Sequence, residues 1–366
     1  RGEAALEALA KRIKADGVKN PLVLHYPGAL SNAKIKAFAQ SLSGILFDKF
    51  IGEPTLSLEA ECYDIYMKNN CDGVVSVGGG SVLDCGKVLS LCAGNKEKDP
   101  DNVCSLAAEP EKAVPFYAVP TTAGTGSETT LFALLTDERK TKKEPYISDK
   151  FLPLAVALDA SLTVGLPCGV TAATGIDALS HAVEAYVSLF ASSFEDDIIY
   201  APKAVKLIFD NLKTVCNEPE NLTARQNMLD AANFAGMAFR RISTGYIHAI
   251  AHRLGEMCHI PHGTAISMAF VPVLRAYLPY AEKELAALAK ETGIAEETDG
   301  ISEAAEKFIN AVQVLISALP LKAEISLTEE EINECVLRAQ DEVKIVGYPR
   351  PFSDKRLAQL FKTVIE

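Results

Sequence analysis

The chain has 366 residues, 48% of them hydrophobic, and a formal net charge of −12 at neutral pH. That length can bury a core in more than one domain of ~150 residues. The acidic balance argues against nucleic acid and anionic membrane surfaces as partners, and no apolar run reaches the ~20 residues of a membrane span.

The chain opens with Arg-Gly-Glu-Ala-Ala-Leu-Glu-Ala-Leu-Ala-Lys-Arg-Ile. This is the pattern of an amphipathic helix and not of a signal peptide; the absence of an initiating Met reads as a trimmed or incomplete start. Short apolar runs at 21–25, 44–47, 73–77, 115–119 and 154–158 then alternate with helical patterns, the spacing of a parallel sheet with crossover helices. Near residues 164–167 the character changes. Helical segments are predicted at about 172–190, 195–215, 222–240, 244–256, 264–290, 301–318 and 328–342, from apolar residues recurring at helical period. The fold class is therefore an α/β domain over 1–165 followed by an all-α domain over 166–366, with polar surface loops at 94–103 and 291–300. The nine cysteines include no Cys-x-x-Cys pair and several sit in apolar runs, which fits a reducing cytoplasm.

Two loops of the first domain have ligand chemistry. Val-Ser-Val-Gly-Gly-Gly-Ser-Val-Leu-Asp-Cys-Gly-Lys at 75–87 runs a strand into Gly78, Gly79 and Gly80, with Ser81 expected to open a helix. Bare backbone at the positive end of a helix suits a pyrophosphate, although neither standard nucleotide motif is spelled out. Pro-Thr-Thr-Ala-Gly-Thr-Gly-Ser-Glu at 120–128 follows the next strand, and ligands of open α/β sheets bind at that strand end.

The second domain concentrates the imidazoles: five of six histidines fall at residues 181–262. Asp177 and His181 share a helix face by their four-residue spacing, as do His248 and His252, and His262 follows a proline. One carboxylate with several imidazoles suits a divalent cation such as Fe(II), Zn or Mn.

With these motifs assembled, the chain resembles the iron-containing (group III) alcohol dehydrogenase family over nearly its whole length. The resemblance is carried by residues 78–87, 120–128, the Ala-Ala-Thr-Gly-Ile-Asp-Ala-Leu-Ser-His stretch from 172, and Gly-Tyr-Ile-His-Ala-Ile-Ala-His from 245, closing with Pro-His-Gly at 261–263. It implies a dinucleotide-binding domain, a helical metal domain and a metal in the cleft between them. The implied ligands are Asp177, His181, His248 and His262, binding Fe2+ or, second, Zn2+. It implies NAD or NADP held by Gly79, Gly80 and Ser81, by Thr121, Thr122 and Thr125, and by Lys143 at the ribose; Gly78, Asp84 and Ser127 belong to the same motifs. His252 maps onto a non-ligand residue near the nicotinamide and is the expected proton relay. Cys258 and His259 lie between ligands and are set aside because His262 already fills the matching position; Cys258 is expected to line the substrate cavity. His25 is read as a surface or cofactor-edge residue.

The implied activity is hydride transfer between NAD(P)(H) and a small alcohol or aldehyde, with the metal as Lewis acid, in a homodimer or larger homo-oligomer. Two departures stand out. Tyr26 occupies the end of the first strand, where NAD-preferring members often carry Asp, which leaves NADPH open. The strand hairpin that usually precedes the first helix is missing. Rival readings are a dehydroquinate-synthase-like lyase, which needs clustered cations such as Arg240, Arg241 and Arg253 for a polyanionic substrate, a maleylacetate-reductase-like activity, and a non-catalytic assembly module.

Overall fold

The structure, a computed structural model, describes residues 1–104, 112–139, 142–345 and 347–365, with the side chains of residues 142, 143 and 345 left aside. The chain divides into two compact units, Arg1–Gly165 and Leu166–Glu366.

In the first unit the elements are α1 (Ala5–Ala15), β1 (Leu22–His25), α2 (Ala33–Leu42), β2 (Ile45–Phe47), α3 (Leu56–Lys68), β3 (Val74–Gly78), α4 (Gly80–Asn95), α5 (Pro100–Val103), β4 (Phe116–Pro120), β5 (Phe132–Asp137), β6 (Lys142–Ile147) and β7 (Ala155–Val156). Strands β2, β1, β3, β4 and β7 form one parallel sheet in that order. Alternation along each strand feeds two cores. Leu22, Leu24, Val74, Phe116 and Ala118 face one cluster with Cys62 of α3 and Val88 of α4. Val23, Val75, Val77, Tyr117 and Val119 face the other, with Leu9 and Ile13 of α1 and Phe38 of α2. Both faces are covered, which is why the strands read as continuous apolar runs.

The β5–β6 pair is an antiparallel hairpin that the sequence reading did not anticipate. Its second strand, Lys-Lys-Glu-Pro-Tyr-Ile, combines charge and proline and has weak strand propensity; pairing with β5 decides its conformation. The predicted loop at 94–103 also contains a helical turn, α5, capped by Asp99.

In the second unit, α6 (Cys168–Val187), α7 (Glu195–Ile198), α8 (Ala201–Asn217), α9 (Leu222–Phe239), α10 (Tyr246–Cys258), α11 (His262–Glu291), α12 (Ile301–Ser317), α13 (Glu329–Glu342) and α14 (Asp354–Ile365) follow one another. Helix α6 is apolar on nearly every side and is buried accordingly, packed on α8, α9 and α11. Helix α11 bends at Ala281, two residues after Pro279, where proline removes a helical hydrogen bond. Helix α14 was not predicted. Its buried stripe, Leu357, Leu360, Phe361 and Val364, is short and interrupted by charge. No described helix is long and apolar enough to cross a membrane.

Candidate active site

Helix α6 carries Asp177 and His181, and both are buried. Helix α10 carries His248 and His252. His259 ends that helix with φ of 54°, so it turns the chain toward α11 and is not directed by helical geometry as a ligand would be. Helix α11 then begins at His262. A Cβ added at Gly263 would lie 2.6 Å from Ala173 Cβ; glycine at this position lets the start of α11 approach α6, and His262 arrives beside Asp177.

Three imidazoles converge on one carboxylate oxygen. Asp177 Oδ1 lies 3.7 Å from His181 Nε2, 3.4 Å from His248 Nε2 and 3.3 Å from His262 Nε2. Potential ligand atoms of Asp177, His181 and His248 all fall within 4.8 Å of one another. His262 closes the group from its open side, with 41% of its side chain exposed. Asp177 Oδ1, His181 Nδ1 and His248 Nε2 are buried without a hydrogen-bond partner among the described residues. Buried polar atoms ordinarily find partners, so this cluster of lone pairs fits a cation. Its oxygen and nitrogen donors suit Fe(II) or Zn.

The electrostatics agree with that arrangement. Burial works to raise the Asp177 carboxyl, but the surrounding imidazoles outweigh it and hold the group well below the usual carboxylate range. Burial drives His181 down to about 3, so its ring is neutral. Burial also acts downward on His248, but Asp177 and Glu184 outweigh it and bring it to about 9, so this ring holds a proton that a bound cation would displace.

Two acidic residues that the sequence reading missed hold the rings. Glu184, one turn beyond His181 on α6, accepts from His248 Nδ1 at 2.6 Å and from the Ile247 amide at 2.8 Å. Helical spacing from Asp177 and His181 is the signal that could have found it. Glu342, the last residue of α13, accepts from His252 Nδ1 at 2.7 Å and from Arg253 Nη2 at 3.0 Å. Burial would raise the Glu342 carboxyl, but His252 and Arg253 hold it at about 2. His252 also stacks on His262, ring centroids 5.2 Å apart, and stands edge-on to His248 at 5.8 Å.

The arginines near this site are already neutralised. Arg240 and Arg241 both donate to the buried Asp197, at 2.6 and 2.5 Å, and Arg253 pairs with Glu256 and Glu342.

In the first unit, the glycine loop starts α4 at Gly80 with Gly79 at the cap position and no side-chain cap; Ser81 is thus inside the first turn and is not the cap residue. The leading amides of a helix have no partner within it, so this end can receive an anion. The adjacent loop packs closely: Cβ atoms built at Gly79 and Gly80 would meet Thr122 at 3.3 Å and Thr125 at 2.9 Å. Thr121 N donates to Gly78 O at 3.0 Å. The two loops therefore form one surface. Asp84 faces inward from it, accepting from Ser127 Oγ at 2.5 Å and from Leu134 N at 3.0 Å. Asp84 and Ser127 tie the loops together. Lys143 pairs with Thr136 in the hairpin register; its side chain lies outside the described residues. His25 is not a surface residue: it is 2% exposed, enclosed because β1 runs between β2 and β3. Tyr26 follows it, partly buried against both cores.

The profile described as "Iron-containing alcohol dehydrogenase" matches residues 1–160, and that of the "Fe-containing alcohol dehydrogenase family, C-terminal" matches residues 171–365. Alcohol dehydrogenase 4 of Schizosaccharomyces pombe is 39% identical over 293 residues, 78% of this chain and 68% of that protein. The NAD-dependent methanol dehydrogenase of Bacillus methanolicus is 36% identical over 272 residues, 73% of this chain and 71% of that protein. The crystal structure of a 1,3-propanediol oxidoreductase superposes with a TM-score of 0.91 at 30% identity, covering 98% of this chain and 95% of that one.

Proposed function

The chain belongs to the iron-containing alcohol dehydrogenase family, and from that premise we propose that Asp177, His181, His248 and His262 hold its divalent metal while the loops at 78–81 and 120–128 hold the nicotinamide dinucleotide. The enzyme transfers a hydride between that cofactor and a small alcohol or aldehyde. The observation that carries the metal assignment is the convergence of buried, unpartnered Asp177 Oδ1 and His248 Nε2 on one point.

The bound ion supplies a Lewis acid for the alcohol or carbonyl oxygen. Asp177 contributes the anionic donor. Glu184 accepts the Nδ1 proton of His248, so Nε2 is the nitrogen that would face the ion once binding displaces its proton. His252 is the proton relay between the substrate hydroxyl and solvent, a role open to an imidazole that is only partly buried. Fe(II) is the metal that family membership points to, and Zn2+ is the second candidate, since the general affinity order favours Zn2+ wherever both are supplied. Ser81, Thr121, Thr122 and Thr125 line the dinucleotide surface, Lys143 is assigned to the ribose, and Asp84 and Ser127 brace the two loops.

The substrate is neutral. Helices α6 and α10 present apolar surroundings, and Arg240, Arg241 and Arg253 are occupied by carboxylates. A polyanionic substrate of the lyase kind would find no free cation among them. A cytoplasmic location, supported by nine unpaired cysteines, and a homodimer or larger assembly complete the reading.

The test is metal-free protein reloaded anaerobically with Fe(II) or Zn2+ and assayed with NADH or NADPH and small aldehydes. Metal-dependent oxidation of the cofactor is expected, with metal content and turnover both lost in Asp177→Asn. Full turnover by metal-free protein, or stoichiometric metal in Asp177→Asn, would sink the assignment.

A further inference from the structure

Glu342 is in an unusual place for a carboxylate. It ends α13, where the helix dipole disfavours negative charge, and it has only partial access to solvent. Its two oxygens are divided between neighbours on α10: Oε1 takes His252 Nδ1 at 2.7 Å and Oε2 takes Arg253 Nη2 at 3.0 Å. Arg253 is itself held by Glu256, 3.0 Å from its Nη1, and Glu256 by Arg338 of α13 at 2.6 Å. With both oxygens engaged, the carboxylate cannot rotate away from the imidazole.

An ionised carboxylate only accepts hydrogen bonds, so the neutral His252 ring must carry its proton on Nδ1. Nε2 is then the nitrogen with the free lone pair. The ring plane is fixed as well, by the stack on His262 and the edge contact with His248. No other contact of His252 among the described residues selects a tautomer.

We propose that Glu342 is the positioning residue of His252, fixing the Nδ1–H tautomer so that Nε2 stands ready as the proton acceptor, with Arg253 as the clamp that holds Glu342. The inference rests on the reading of the site given above. Glutamine at 342 keeps the size of the side chain but can either accept from Nδ1 or donate to it, so both tautomers become accessible. Aspartate keeps the charge and shortens the reach.

The experiment compares the parent with Glu342→Gln and Glu342→Asp in three measurements: long-range 15N–1H NMR of the histidine rings in metal-free, histidine-labelled protein, metal content after anaerobic loading, and kcat and KM for an aldehyde. In the parent, His252 is expected as the Nδ1–H tautomer. Glu342→Gln is expected to show mixed tautomers, a kcat lower by roughly 10–100-fold, and KM and metal content within about twofold of the parent. Glu342→Asp is expected to recover part of kcat and the Nδ1–H signature. An unchanged tautomer, an unchanged kcat, or loss of metal from Glu342→Gln would each overturn the proposal. Failure of the underlying site reading looks different: the parent itself would then turn over without metal, or His252→Phe would be fully active.

Discussion

Glu184 Oε2 lies 2.6 Å from His248 Nδ1, so the helix that carries Asp177 and His181 also grips the imidazole arriving from α10. Three polar side chains of one helix face thus serve one site. Glu184→Gln is expected to weaken metal binding by roughly 10–100-fold, the usual cost of losing a partner behind a ligating histidine. Competition against a chelator of known affinity measures it; a retained affinity would mean that Asp177 alone sets the site.

Gly263 is predicted to be intolerant of any side chain. A Cβ there meets Ala173 Cβ and O, each at 2.6 Å, so Gly263→Ala must push α11 from α6 and carry His262 with it. A stability loss of about 1–3 kcal/mol is expected from the overpacking, together with weaker metal retention. Denaturant titration of metal-free protein reads the first and metal analysis the second; unchanged metal content in a destabilised variant would separate His262 from the ion.

Glu59 gives a pH dependence carried by the first unit. It is fully buried on α3, both carboxyl oxygens lack a hydrogen-bond partner among the described residues, and burial raises it from an ordinary 4.5 to about 8. The folded protein therefore holds this proton more tightly than the unfolded chain does. The associated stability is present below about pH 4.5 and is lost as pH rises through about 8. Glu59→Gln removes the titration, so the variant is expected to lose less stability than the parent between pH 5 and about 8.5. Parallel denaturation curves at the two pH values decide it: identical pH dependence would show that Glu59 does not titrate in this range.

Tyr26 directly follows β1, with no carboxylate among its immediate neighbours, His25, Pro27 and Gly28. An acid at this strand end would accept from a ribose 2′-hydroxyl and repel a 2′-phosphate. Tyr26→Asp is expected to move the ratio of kcat/KM toward NADH by about tenfold, the worth of one charge-assisted hydrogen bond of about 1.5 kcal/mol. An unmoved ratio would place cofactor choice elsewhere in the unit.

Much of the architecture was legible because it depends on local period. The apolar run Val-Val-Ser-Val and its sister runs, set between helical patterns, announced the sheet, and the four-residue spacing of Asp177 and His181 puts both on one face of a helix. What escaped notice depends on contacts distant in sequence. Glu342 meets His252 across 90 residues, and no pattern near either residue announces the other. The charged strand β6 reads as loop until β5 is laid beside it. His25 looked peripheral because a polar residue at a strand end usually is; the position of β1 between β2 and β3 encloses it.

The side chains proposed to hold the ion all come from α6, α10 and α11, whereas the glycine and threonine loops belong to the earlier stretch of chain. Ion chemistry and nucleotide preference are in this sense written in separate paragraphs of the sequence. Randomising residues 78–81 and 120–128 to retune the coenzyme would leave every donor atom of the metal cluster untouched, and exchanging the ion would ask nothing of the sheet. Directed evolution could address the two properties in sequence, with libraries that share no position.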